Sequence, residues 1–369
     1  MIRGEGDQPR FVLGLADVGA ADAARAGGKA AALGELTHAG ISIPRGYVIT
    51  GAAFNLVMAA LDPSGAIRGA LGELPADDLA AIARAAADLR ARITAAPLPP
   101  EVAAEITAAY QRLDAQRQDG RTAVAVRSSA TMEDSPEASF AGLQDSYLAI
   151  RGADAVLDRA RSCWASLYND ESVSYRRRRG TGEGGLAMAV VLQRMVSPRA
   201  AGVMFTRSPV TGDRSVVAIE GTWGLGSALV AGEVTPDSFT VSKVTGEITG
   251  RRVGAKLRAH SFVPNGQGIS AQPMPTALRR SPCLTDDEAR ALALVGRQVE
   301  EHYGVPQDIE WALLGDSPGC PPLHGDPADR IVLLQSRPET VWAARERPPV
   351  ATPKPRASDH VLARFRTAL

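Results

Sequence analysis

Glu310 and Gln335 form the most informative pair in the sequence. Each sits in a short apolar run, QDIEWALL for the first and IVLLQSRPET for the second, and a carboxylate is rarely placed in such a run without a partner. If the two runs are neighbouring antiparallel strands, both oxygen-bearing side chains face one divalent ion, with Arg337 two residues farther along the same face. Oxygen ligands suit Mg²⁺, which commonly bridges carboxylates and phosphates. The competing arrangement is a structural ion pair between Glu310 and Arg337.

Other residues point to phosphate and base chemistry. Val126-Arg127-Ser128-Ser129 runs from a strand into Thr131, Glu133, Asp134, Ser139, Phe140, Ala141 and Gly142. An arginine there can clamp phosphate oxygens while hydroxyls and amides of the loop cover them; a salt-bridged strand end is the alternative. Gly27-Gly28-Lys29 opens a helix, where exposed amides and a mobile cation can hold phosphate. It is not a GxxxxGK[ST] loop, and taken alone an ordinary turn is the simpler reading. In GLAMAVVLQRMV, Gln193 to Val196 end an apolar strand that can offer backbone groups to an adenine edge, with Met195 and Val196 against the ring, although core packing also accounts for them. EGTWGLGSALVAGEVTPD adds a glycine-rich loop with Glu220 and Glu233, each of which also fits a structural turn.

The elements that position these residues are short. AAALGELTHAG predicts a helix over 30–40 with Lys29 at its entrance, and ISIPRGYVIT a bend into a strand. Residues 75–118 read as a helical pair divided by Pro97, Pro99 and Pro100. TAVAVRSSA reads as a buried strand, and 152–169 as a helix followed by Arg176 to Gly180, a solvated helix end rather than a nucleic-acid patch. The second half is strand-rich, with RRVGAKLRAH as one strand and a hairpin turn at Val244 to Glu247. Residues 263–283 read as a loop-like excursion, and a helix capped by Thr285 runs toward Tyr303. Residues 316–329 form an insertion.

The 369 residues carry 41 basic and 41 acidic side chains. That balance gives no support for a nucleic-acid partner held by a broad positive surface. Arginine supplies 37 of the cations, and Lys29, Lys243, Lys256 and Lys354 are the four lysines. Three cysteines without paired zinc spacing argue against a disulfide framework. No segment reaches the roughly 18 uninterrupted apolar residues of a membrane helix. A cytoplasmic protein with no membrane partner is expected.

Taken together, GGKAAALGEL, VRSSATMEDSPEASFAGLQDSYL, LQRMV, GVMFTRSP, EGTWGLG, GEVTPD, DIEW and LLQSRP resemble, in order, the ATP-grasp nucleotide-binding region (PEP/pyruvate-binding domain) of the dikinase family. That family includes phosphoenolpyruvate synthase, pyruvate phosphate dikinase and rifampicin phosphotransferase. The resemblance spans residues 11–342 and implies an α/β (α+β) fold with two subdomains enclosing ATP, over 1–186 and 187–342, with 343–369 as a tail or linker. There is no GxGxxG fingerprint for a Rossmann domain.

By this resemblance Lys29 and Arg127 hold ATP phosphates under the loop from Thr131 through Ser139, Phe140 and Ala141 to Gly142. Gln193, Met195 and Val196 lie at the adenine edge, and Glu220 and Glu233 fix the nucleoside side. Glu310 and Gln335 bind Mg²⁺, Arg337 stabilises transferred phosphate, and Asp308 is an alternative ligand or a support. The family transfers the β,γ-pyrophosphoryl unit of ATP to a histidine on a swivelling domain and releases AMP. None of His38, His260, His302, His324 and His360 lies in the family's serine-histidine motif. The expected partner is therefore a phosphohistidine-bearing domain or separate subunit that also binds a small-molecule acceptor, as in phenylphosphate synthase. A direct small-molecule kinase or ligase and a non-catalytic nucleotide-binding regulatory module are the alternatives.

Overall fold

The computed structural model describes residues 10–115, 122–130, 145–178, 182–183, 185–264, 266–315 and 325–342, with the backbone of 134–135 and 138–139. The first half runs β1 (Val12–Gly14), α1 (Ala23–His38), β2 (Gly46–Ile49), α2 (Gly51–Leu61), α3 (Ala66–Glu73), α4 (Leu79–Ala95), α5 (Pro100–Asp114), β3 (Val124–Ala130), β4 (Asp134–Ser135), β5 (Ala138–Ser139), β6 (Ser146–Ile150), α6 (Ala153–Ser166) and α7 (Asp170–Arg178). The second runs β7 (Met188–Arg194), β8 (Pro198–Phe205), β9 (Val216–Trp223), α8 (Ser227–Val230), β10 (Asp237–Ser242), β11 (Ile248–Arg252), β12 (Arg258–Phe262), β13 (Ile269–Pro273), α9 (Thr276–Arg279), α10 (Asp286–Tyr303), β14 (Gln307–Leu314) and β15 (Ile331–Pro338). The fold is mixed α+β. No described helix is long and apolar enough to cross a membrane.

Two antiparallel sheets organise the chain, one ordered β1-β2-β7-β3-β6 and the other β11-β10-β9-β8-β14-β15. Strand β7 explains its own apolar run, because both its faces are covered. Met188, Val190 and Leu192 join the core beneath α2, α4, α5 and α6, whereas Ala189 and Val191 face Ala26, Ala30 and Leu33 of α1. The first sheet thus extends to Arg194, beyond the expected division at 186, and the chain crosses to the second sheet through Met195–Ser197. On the second sheet, Ile219, Met204, Ile309, Trp311 and Leu333 form the core with Leu292 and Val299 of α10. Leu36 of α1 enters this second core as well, and Tyr303 Oη donates to the Ala32 carbonyl at 3.1 Å, so α1 ties the halves together.

Four sequence expectations change. The helix expected from Ala30 begins at Ala23, interrupted by Gly27 at φ 77°, ψ 162°. RRVGAKLRAH is not one strand: β11 ends at Arg252, and the chain turns inward so that Lys256, fully buried, can pair with Asp237. The 263–283 excursion contains β13 and α9, hidden because β13 is exposed and lacks alternation. The start of the arginine run is not a solvated helix end: Arg176 is buried on Glu183 at 2.7 Å and Arg177 donates to the Gly72 and Leu74 carbonyls, while Arg178 is exposed and Arg179 and Gly180 lie outside the described residues. By contrast the helical pair, the Thr285–Glu288 capping box, the hairpin between β10 and β11 and the Gly40 helix stop at φ 75° lie where expected. Cys163 and Cys283 are buried free thiols.

Candidate functional site

The site is built on the face of the second sheet that turns away from α10. Glu310 and Gln335 are directly opposed on β14 and β15. Register makes this possible through a bulge. Leu333 opposes Trp311 but Gln335 opposes Glu310, so Leu334 is an extra residue. Counting alternation onward from core-facing Leu333 would send Gln335 and Arg337 into the core; one inserted residue reverses that parity. Leu334 packs on the same side as Val332 and Ala312.

Cross-strand pairing lays three rows over this face. The middle row is Glu220, Val203, Glu310 and Gln335. On one side lies a small, apolar row, Thr222, Ala201, Ala312 and Val332. On the other lie Ala218, Phe205, Asp308 and Arg337. Polarity therefore rises along the cleft from an apolar floor to a charged end.

The first sheet supplies the opposite wall from one face of β3. Ala125, Arg127 and Ser129 alternate onto that face, away from Val124 and Val126 in the core. Arg127 reaches across: one terminal nitrogen donates to Glu310 Oε2 at 2.9 Å and to Gln335 Oε1 at 2.6 Å, and the other to the bulge carbonyl of Leu334 at 3.1 Å. The Glu310 and Gln335 oxygens thus converge on one cationic nitrogen. Two hard oxygens focused on a single positive point fit Mg²⁺, which takes few protein ligands and completes its shell with phosphate and water. Among the described residues no cluster of three or more acidic, His or Cys side chains offers a richer metal site. The ion pair that Arg337 makes at 2.7 Å is with Asp308, its neighbour across the strands, rather than the competing pair with Glu310. Burial pushes the Asp308 carboxyl above its ordinary value, and Arg337 opposes that shift.

A cleft of about 230 Å³ lies between the walls, lined among others by Ala125, Arg127, Gln193, Met195, Val196, Ala201, Ser227, Glu310 and Ala312. Gln193 is 3% exposed, and its amide nitrogen has no hydrogen-bond partner. Met195 is fixed by its amide on the Ala123 carbonyl at 2.9 Å. Lys29 is not among the lining residues. It follows the break at Gly27, where any side chain would strike Ser129, and Ser129 Oγ holds this turn by donating to the Ala26 carbonyl at 3.0 Å. Glu220 stands one strand from Glu310, with Val203 between. Glu233 turns instead to His260 Nε2 at 3.2 Å. Thr131, Phe140, Ala141 and Gly142 lie outside the described residues, as does the Ser139 side chain. Ser129 belonged to the candidate arginine-serine segment, but the alanine floor and the bulge were not read from the sequence as site features; their signal was the small-residue content of the strands.

Comparison with known proteins identifies the family. The family model for the pyruvate phosphate dikinase AMP/ATP-binding domain matches residues 23–358. A Streptomyces rifampicin phosphotransferase is 43% identical over 90% of this chain and 38% of its own length. A probable phosphoenolpyruvate synthase of Methanothermobacter thermautotrophicus is 40% identical over 90% of this chain and 46% of its own. The phosphoenolpyruvate synthase of Aeropyrum pernix is 37% identical over 93% and 44% respectively. The chain spans less than half the length of these curated relatives. It belongs to the pyruvate phosphate dikinase AMP/ATP-binding domain family.

Proposed function

We propose that the chain binds Mg-ATP between its two sheets and supports transfer of the β,γ-pyrophosphoryl unit to a histidine on a separate domain or subunit, with release of AMP. The observation that carries this reading is the convergence of Arg127, Glu310 and Gln335 from opposite walls onto one point of the cleft. The apolar floor of Ala201, Ala312 and Val332 suits the base, and the unpartnered Gln193 amide offers it a donor. Glu310 and Gln335 would hold Mg²⁺, which supplies charge neutralisation for the phosphates. Arg127 and Lys29 bind phosphate oxygens. Arg337, in the charged row, meets the group being transferred. The joint at Met195–Ser197 divides the two lobes around the phosphates.

The small-molecule acceptor would be bound by the partner that carries the histidine. Incubating the chain with ATP, Mg²⁺ and a histidine-bearing dikinase partner should yield AMP and an acid-labile pyrophosphohistidine, which becomes phosphohistidine when its terminal phosphoryl group passes to water or inorganic phosphate. ADP as the consistent nucleotide product would overturn the proposal.

A further inference from the structure

The loop after β9 carries a hydrogen-bonded chain that the proposed transfer does not use. Gly224 takes a left-handed φ of 69°, and a side chain there would strike the His260 carbonyl. This close approach lays the loop along β12, where the Leu225 amide donates to that same carbonyl at 3.0 Å. Two residues on, Ser227 Oγ lies 2.9 Å from His260 Nδ1. The other ring nitrogen, Nε2, lies 3.2 Å from Glu233 Oε2. His260 is 8% exposed, while Ser227 lines the cleft.

With the imidazole neutral, donor and acceptor capacity assigns the roles. An ionised carboxylate only accepts, so a neutral imidazole facing Glu233 carries its proton on Nε2. Nδ1 is then an acceptor, and the single hydroxyl hydrogen of Ser227 is committed to it. What remains for the cleft is a lone pair. We propose that His260, oriented by Glu233, fixes Ser227 as a hydrogen-bond acceptor on the cleft wall, so that the site selects a nucleotide presenting a donor at that place. The inference rests on the nucleotide reading of the cleft. It gives Glu233 a part in nucleoside selection exerted through His260, which is a positioning residue because it acts through Ser227. An adenine nucleotide offers two kinds of donor, a ribose hydroxyl and the exocyclic amino group.

Competition binding to the full chain separates them, using ATP, 2′-deoxyATP, 3′-deoxyATP and inosine triphosphate, in which a carbonyl replaces the amino group. One analogue should bind about fivefold more weakly than ATP, the scale of one lost hydrogen bond. Ser227→Ala should bind ATP and that analogue equally. His260→Gln, whose amide can accept from Ser227 and donate to Glu233, should keep the discrimination, and His260→Leu should lose it. A merely structural role would move all four nucleotides alike, and that result would overturn the proposal. So would equal binding of all four by the wild type, or a Ser227→Ala variant that keeps the penalty. Failure of the wild type to bind ATP at all would overturn the nucleotide reading, and this inference with it.

Discussion

Lys256–Asp237 and Arg127–Glu310 are both a cation meeting a carboxylate, but they sit in opposite surroundings. The first pair is fully buried behind the second sheet, and Asp237 also accepts the Gly254 amide at 2.9 Å and the Cys283 amide at 2.7 Å. Both carboxylate oxygens are used, and there is no route for a ligand. The second pair lies on the cleft wall, where the Glu310 side chain is 32% exposed. The difference teaches that residue type does not separate scaffold from site. Access and unused coordinating capacity do.

Breaking each pair should therefore have different consequences. Lys256→Ala leaves a carboxylate buried without its counter-charge, and should destabilise the fold by about 3–5 kcal/mol in urea unfolding; a loss below about 1 kcal/mol would erase the contrast. Glu310→Gln should leave stability within about 1 kcal/mol of wild type, yet lower partner-dependent ATP cleavage by about 10²–10³-fold.

A smaller, pH-dependent effect belongs to the scaffold carboxylate Asp62. Burial works to raise its pKa, but the Ile67 and Arg68 amides and the Arg68 guanidinium together hold it below the ordinary carboxylate value. A lowered folded pKa contributes stability above the unfolded value, and that contribution is lost as pH falls through the folded one. Asp62→Asn should consequently destabilise the protein near neutrality, with the difference from wild type shrinking in acid; a constant difference across that range would contradict the linkage. The smallest change is expected at Arg92–Asp88, both more than half exposed, where Arg92→Ala should alter stability by less than about 0.5 kcal/mol.

Much of the fold was legible because periodicity and caps are local signals. The helical pair, the Thr285 capping box and the apolar strands around Glu310 and Gln335 all follow from neighbouring residues. So did the convergence of Glu310 with Gln335, since two apolar strands each carrying one oxygen ligand are best explained by pairing. The bulge at Leu334 was not legible, because one extra residue leaves no mark in composition yet decides which face Gln335 and Arg337 occupy. Nor was the fate of Lys256 or Arg176 readable: their partners lie 19 and 7 residues away, and a charge looks the same on paper whether buried or solvated. The Asp308–Arg337 pairing likewise depends on register, which the sequence constrains only once the bulge is known.

The central claim is that Glu310 and Gln335 hold the cation that accompanies ATP. The most direct measurement is calorimetric titration of ATP into the full chain, with and without Mg²⁺, for wild type and Glu310→Ala. The account predicts that Mg²⁺ tightens ATP binding to the wild type by about tenfold or more, worth about 1.4 kcal/mol, and that the variant loses most of this gain. An equal Mg²⁺-dependent gain in both proteins would contradict it.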